Sequence, residues 1–443
     1  MGFDMATKTQ ILAAVVLLAG CSGSGSNADG SGETTDPSAD GGPDGGPGAD
    51  SLGGTSAVTA SGTTDPDDDG PIPPSPVNLD LGGIPDAGEP LCGNGGSGKV
   101  EYSYIWIANS SQDTVSKINT VTLVEEGRYM TRDTPFGNPS RTSVSLNGDV
   151  AVANREGGLT KFYANPENCE DQNGNGVIET SSGANDILQW DDEECRAWYV
   201  PFNYTSQRPV AWTSGEWSAQ SCSFENEKVW TTGVIADTTI EVNLVDGASG
   251  VIEDSVQVPE VNPGYFGFYG GAVDTEGNLW ASQLGGGQLI RVDIDTLDYD
   301  LWTAPYGGYG MTVGASGYVF TCDWQVGRFD PATETWDGAQ VNGGGGCMED
   351  ANGILWMANS PLVGVDVETL TPVYSYPLPQ YVHGVSIDFQ GNIWGVSMSS
   401  EAYRVDPSTG TFDTVTGLVN PYTYSDMTGF ALDAVGGGGA PSG

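Results

Sequence analysis

A glycine, a polar or apolar residue and an aromatic one return together at a fixed spacing, which constrains the fold more than any other feature of the chain. The phrase reads EGNLWAS at 276–282, SGYVFTC at 316–322, NGILWMA at 352–358 and QGNIWGV at 390–396, with its aromatic recurring every 36 to 40 residues. Weaker copies, NGDVAVA at 147–153, EKVWTTG at 227–233 and YIWIANS at 104–110, bring the number to seven. Each copy is followed by a second alternating run: VSKIN at 115, LTKFY at 159, TIEVN at 239, LIRVD at 289, VGRFD at 326, VGVDV at 363 and YRVDP at 403. Alternation is the period of a half-buried strand, and turn signals such as Asp-Pro-x-Thr-Gly separate the runs. A run such as GAVDTEG precedes the phrase and one such as TPVYSYPLP ends the unit. Four short strands per unit of about 40 residues mark a β-propeller blade. A right-handed parallel β-helix is the competing architecture, but its repeats are shorter.

A four-stranded sheet cannot bury its apolar residues alone, so blades stack face to face around an axis. Trp106, Trp230, Trp280, Phe320, Trp356 and Trp394 share the second-strand position and are expected to fill the layers between blades. Glycines 148, 277, 317, 353 and 391 mark the turn before that strand, where a positive φ is expected. YIWIANS has no first strand before it, and MTGFALDAV at 427–435 looks like a first strand with no second strand after it. Together they would complete one blade and remove the ring's exposed edges. The expectation is an all-β, seven-bladed propeller over residues 99–436, with a flexible tail at 437–443.

The preceding segment has another character. In MGFDMATKTQILAAVVLLAGC, Lys8 precedes an apolar run from Ile11 to Leu18, a short export signal that is too short for a stable membrane span. Leu18-Ala19-Gly20-Cys21 resembles a bacterial lipobox, which implies removal of residues 1–20 and a lipid on Cys21; an ordinary secreted chain cleaved nearby is the alternative. Ser22 after the anchor points, under the sorting pattern that the resemblance brings, to the outer membrane. Residues 21–98 are rich in Gly, Ser, Asp and Pro, so they are expected to form a disordered tether with a reach on the order of 50 Å.

Net charge is −45, from 59 acidic against 14 basic residues. Such a surface repels nucleic acid and anionic head groups, so nucleic-acid binding is excluded and the lipid must hold the chain to its membrane. The acidity fits a saline habitat or an exterior rich in divalent cations.

Besides Cys21 there are six cysteines, an even number that in an exported chain implies three disulfides. Cys169 and Cys195 flank one polar insertion and are paired; Cys322 is paired with Cys347 across neighbouring repeats, which leaves Cys92 for Cys222. Inside the insertion, Asp171, Asn173, Asn175, Gly176 and Glu179 match the first nine positions of a D-x-[DN]-x-[DN]-G loop. Alternate side-chain oxygens and the Val177 carbonyl of such a loop converge on a hard cation. The segment resembles EF-hand and related calcium loops, although Ser182 stands where those carry a bidentate Glu; Asp186, Asp191 or Asp192 could replace it. Calcium there would stiffen the insertion, the alternative being a disulfide-bounded acidic turn.

Over residues 260 to 420 the phrases G-N-[LI]-W and R-[VF]-D-P-x-T-G resemble the streptogramin B lyase family and wider NHL-like propellers. In that family a histidine opens the first strand of the last blade, in a Glu-Pro-His-Gly-Ile phrase, and acts with a histidine one blade earlier and a magnesium ion. The resemblance puts His383, the single histidine, in the first of those places. Tyr381 stands at the glutamate position and Gly345 at the earlier histidine. An elimination needs both a base and an acid or metal, so two of its three positions are lost. No serine, histidine and carboxylate set replaces them.

The start of each first strand faces the central funnel, where Tyr269, Tyr309, Gly345, His383 and Thr428 are expected at equivalent places. The second-strand ends add Asn109, Asn154, Gln283, Asp323 and Asn359. NPGYFGFYGG, with Tyr265, Phe266, Phe268 and Tyr269, is either a contact surface or a packed loop. These features suit a non-catalytic binding or interaction module at the cell envelope, for a small molecule, glycan or protein. A divergent lyase or hydrolase using His383, Asp323 and a metal is one alternative, and a structural scaffold is the other.

Overall fold

Strands form where the alternation places them. The computed structural model describes residues 103 to 436; the signal segment, Cys21, the tether with Cys92 and the tail at 437–443 lie outside the described residues. Six four-stranded antiparallel sheets run in sequence order, with first strands Pro139–Val144, Ser206–Trp212, Phe268–Val273, Gly310–Val313, Cys347–Glu349 and Val382–Ile387. Consecutive first strands touch one another, so they line the axis. A seventh sheet holds only Tyr104–Asn109, Thr114–Asn119 and Glu125–Met130, and a two-stranded hairpin, Glu216–Ser218 with Ser223–Glu225, stands apart from the blades.

The chain's last stretch fills the innermost place of that incomplete sheet. Trp106 N–H donates to the Met427 carbonyl at 2.9 Å, Tyr422 N–H to Ala108 at 3.2 Å, and Pro421 bridges Asn109. The seventh blade is thus built from both ends of the described chain, as the unmatched strand halves required. The boundary differs from the one read at 427–435: residues Phe430–Val435 form a helix, α1. Gly429 turns the chain at φ 85°, and the half-buried Asp426 carboxylate accepts from the N–H groups of Gly429 at 2.9 Å and Leu432 at 3.2 Å. Leu432 and Val435 are three apart, which puts both on one helical face, and both are buried. The helix packs on the strands Gly310–Val313 and Val382–Ile387 at the far end of the axis. Between it and the first strands lies a cavity of about 30 Å³, room for a water or two, lined in part by Met311, Asp426 and Leu432. The channel therefore has a floor.

The six second-strand aromatics are each no more than 2 % exposed. Three of them are pinned by a carboxylate six residues earlier, while Trp106 and Trp230 donate Nε1 to the Gly148 and Gly277 carbonyls of a neighbouring blade's turn. Asp388 accepts from Gln390 N, Asn392 N and Trp394 Nε1, the last at 2.9 Å; Asp350 does the same for Asn352, Ile354 and Trp356. Asp274 likewise holds Trp280 Nε1. One side chain thus fixes the turn and the rotamer of the core aromatic. Gly148, Gly277, Gly317, Gly353 and Gly391 all have φ between 73° and 84°, as the turn demanded.

Disulfides join Cys169 to Cys195 and Cys322 to Cys347. Cys222 is also disulfide-bonded, and Cys92, the partner expected for it, lies outside the described residues. No helix among the described residues is long and apolar enough to cross a membrane.

Candidate functional site

Where the first strands begin, their pairing slips. The ladder jumps from Phe268 to Gly270 and from Val382 to Gly384, leaving Tyr269 and His383 as extra residues. It jumps likewise around Ser140 and around Arg208. An extra residue bends the strand and re-aims its side chain. These bulges turn His383, Tyr269 and the guanidinium groups of Arg141 and Arg208 into the funnel mouth.

His383 sits in a cage of rings. Its centroid lies 4.5 Å from Tyr309, 4.9 Å from Tyr422 and 5.3 Å from Tyr424. Tyr269 Oη donates to Tyr309 Oη at 2.8 Å and meets Tyr422 Oη at 2.9 Å, tying the cage together. His383 Nδ1 meets Tyr381 Oη at 2.9 Å, whereas Nε2 has no partner. The ring is 5 % exposed. Burial pushes its pKa down to about 3, and the charges of Arg141 and Arg155 push the same way. The imidazole is neutral at neutral pH.

Three arginines surround the cage. Arg141, 1 % exposed, stacks on Tyr424 and donates Nη2 to the Tyr269 carbonyl at 2.9 Å. Arg155 lies 4.0 Å over the Tyr422 ring, and Arg208 lies 4.7 Å over Phe266 and 5.1 Å over Tyr269. Burial disfavours the charge on all three, and they also repel one another. No carboxylate lies within salt-bridge distance of any of them among the described residues; Lys117, Arg132 and Arg196 also lack one, while Arg128, Lys161, Lys228, Arg291, Arg328 and Arg404 each have one.

The sequence reading brought Tyr269, Tyr309 and His383 to one place, with Gly345 packed beneath His383, whose carbonyl accepts from Gly346 N at 2.8 Å. It missed the arginines and the place of the closing strand. Tyr422 and Tyr424 hold the position given to Thr428, whose hydroxyl instead bonds the Ile387 carbonyl at the far end of the last blade. Arg141 stands beside the bulged Ser140 in a weak copy of the repeat, which was the available signal. Asn109, Asn154, Gln283 and Asn359 engage the neighbouring chain through their amides and do not form a free polar ring. Asp323 is half-buried, and burial raises its pKa. NPGYFGFYGG divides: Phe268 and Tyr269 are buried, whereas Tyr265 is 77 % exposed at the rim.

A magnesium ion of the lyase kind does not fit this donor set: the groups around His383 are phenols and guanidiniums, with no converging carboxylates to offset a dication. The insertion lies at the opposite end, between the third and fourth strands of its blade. There Asp171 accepts from Gly174 N at 2.7 Å and Gly176 N at 2.7 Å, and Glu179 accepts from Asn173 and Asn175. The further carboxylate that reaches the loop is Glu194, through Gln172 N and Glu179 N, while Asp186 bonds Ser182. Among the described residues no three His, Cys, Asp or Glu side chains are grouped to hold a metal.

No protein-family model and no curated protein matches the chain. Similar solved structures include catalytically inactive virginiamycin B lyase from Staphylococcus aureus with quinupristin, at 13 % identity over 71 % of this chain and 89 % of that one, TM-score 0.46. A streptogramin B lyase is similar at 14 % identity over 66 % and 88 %, TM-score 0.43. AztD from Citrobacter koseri is similar at 11 % identity over 73 % and 96 %, TM-score 0.46.

Proposed function

We propose that the propeller is a ligand-binding module, held at the cell envelope by a lipid on Cys21, whose site is the floored funnel of Tyr269, Tyr309, His383, Tyr422 and Tyr424. The observation that carries this reading is a set of buried polar atoms left without partners there, His383 Nε2, Tyr424 Oη and Arg155 Nε and Nη2. An unpaired buried polar atom costs about 1–3 kcal/mol, which a ligand with complementary groups recovers. Exposed aromatics, Phe136, Tyr265, Trp324 and Tyr381, stand on loops at the same end, where amphipathic rings serve as contact anchors. Catalysis by His383 is disfavoured, since a base with so low a pKa takes a proton poorly at neutral pH.

The test is thermal denaturation of the full chain in detergent against panels of small molecules, peptides and oligosaccharides, with Tyr422→Ala and His383→Ala alongside. Binding to the native state raises the melting temperature. A stabilising ligand whose effect is lost in both variants supports the proposal, and stabilisation that survives both would place the site elsewhere.

Calcium in the Asp171–Glu179 loop, with the Asn173, Asn175 and Val177 oxygens, is proposed separately. The loop's wrapping around Asp171 favours it, and its role would be to stiffen the insertion.

A further inference from the structure

We infer that the ligand of the funnel is a small organic polyanion, carrying two or more carboxylate or phosphate groups, gripped by Arg141, Arg155 and Arg208; this rests on the funnel being a binding site. Charge placement is the first argument. The chain has 59 acidic residues to choose from and only 14 basic ones, yet these three guanidiniums gather at one mouth with no acid in salt-bridge distance; Glu156 acts on Arg155 and Arg208 only from farther off. Buried charge is ordinarily paired, because leaving it unpaired costs several kcal/mol. Here the missing counter-charge is the ligand's.

Orientation is the second argument. Each guanidinium carbon lies over a ring, Arg141 over Tyr424, Arg155 over Tyr422 and Arg208 over Phe266 and Tyr269. A cation held over a ring can keep its N–H edge, the fork that matches a carboxylate or phosphate in two parallel bonds; Arg141 spends part of its own on the Ser140 and Tyr269 carbonyls and Arg208 Nε meets Ser206 Oγ at 3.5 Å. Arg155 Nε and Nη2 are such an edge, buried and without a partner. Phenols held neutral by burial, Tyr422 among them, supply further donors. Three positive groups within one cage outmatch a single negative one, so the occupant carries more than one.

Isothermal titration of the full chain with citrate, succinate, inorganic phosphate and an uncharged disaccharide, at constant ionic strength in sodium chloride, tests this. The Arg155 side chain makes no hydrogen bond or ion pair within the protein, and its backbone bonds to Asn138 and Gln207 do not depend on the side chain, so Arg155→Gln is expected to leave the fold intact; Arg208→Gln is the second variant, and near-ultraviolet dichroism checks both. The expected result is binding of citrate or succinate, weakened at least ten-fold in each variant, with no binding of the disaccharide; binding of inorganic phosphate alone would overturn the polyanion. Disaccharide binding that is lost in Tyr422→Ala but unchanged in Arg155→Gln would overturn the anion inference and leave the funnel a binding site. Arginine-dependent binding of chloride alone would overturn the polyanion. No binding by any probe would overturn both readings together.

Discussion

His383 keeps one charge state because its surroundings make protonation costly. Its folded pKa of about 3 lies below the ordinary 6.5, so as pH falls below about 6.5 the unfolded chain takes up a proton that the folded chain refuses. Stability is therefore lost across that window, by up to about 1.4 kcal/mol per pH unit. Urea unfolding at pH 7, 6 and 5 should show wild type losing more stability than His383→Gln, since the other titrating groups are common to both; parallel losses would refute the assignment. A second residue-scale prediction concerns Gly391, at φ 82° with open space where a Cβ would stand. Gly391→Ala should cost about 1–2 kcal/mol through backbone strain alone, whereas Gly345→Ala would drive its Cβ to 2.4 Å from the His383 carbonyl and disturb the cage as well. The turn glycines were legible because a turn has a fixed place in every repeat. Arg141 and Arg208 were not, because a bulge shifts the register by one residue and so hides which side chain faces the axis.

Among the elements, the insertion and α1 show what local pattern can and cannot carry. Cysteines flanking a polar stretch identified the Cys169–Cys195 closure directly. The carboxylate completing the calcium-like loop was sought at Asp186, Asp191 and Asp192, but Glu194 beside Cys195 is the one the disulfide brings back to Gln172 and Glu179. Limited proteolysis with and without calcium should show cleavage within 169–195 slowed by the ion and the ring unaffected; identical digestion would remove calcium from the account. The sequence FALDAV was read as a strand because its alternation fits one, and its helix depends on Asp426, which sits outside the pattern. Removing that acceptor in Asp426→Ala should cost about 1.5–3 kcal/mol, the worth of hydrogen bonds to a charged group, as measured by urea denaturation.

For the whole molecule, the fold was readable because a ring of similar units repeats its instruction seven times, and an error in one copy is outvoted by the others. Trp394 shows the energetic side: Trp394→Ala should cost about 3–5 kcal/mol, because the layer between two stiff sheets cannot collapse onto the void. The site was only partly readable, since it draws single residues from unlike blades and has no period of its own. Closure of the ring carries a consequence in time. Tyr422 and Tyr424 arrive on the stretch that also seals the seventh blade, so a ribosome that stops short of it leaves both an open edge and a cage without two of its walls. Under the proposed function, then, ligand recognition would require the closing stretch: a chain lacking residues 421–428 would have neither a sealed ring nor a complete cage.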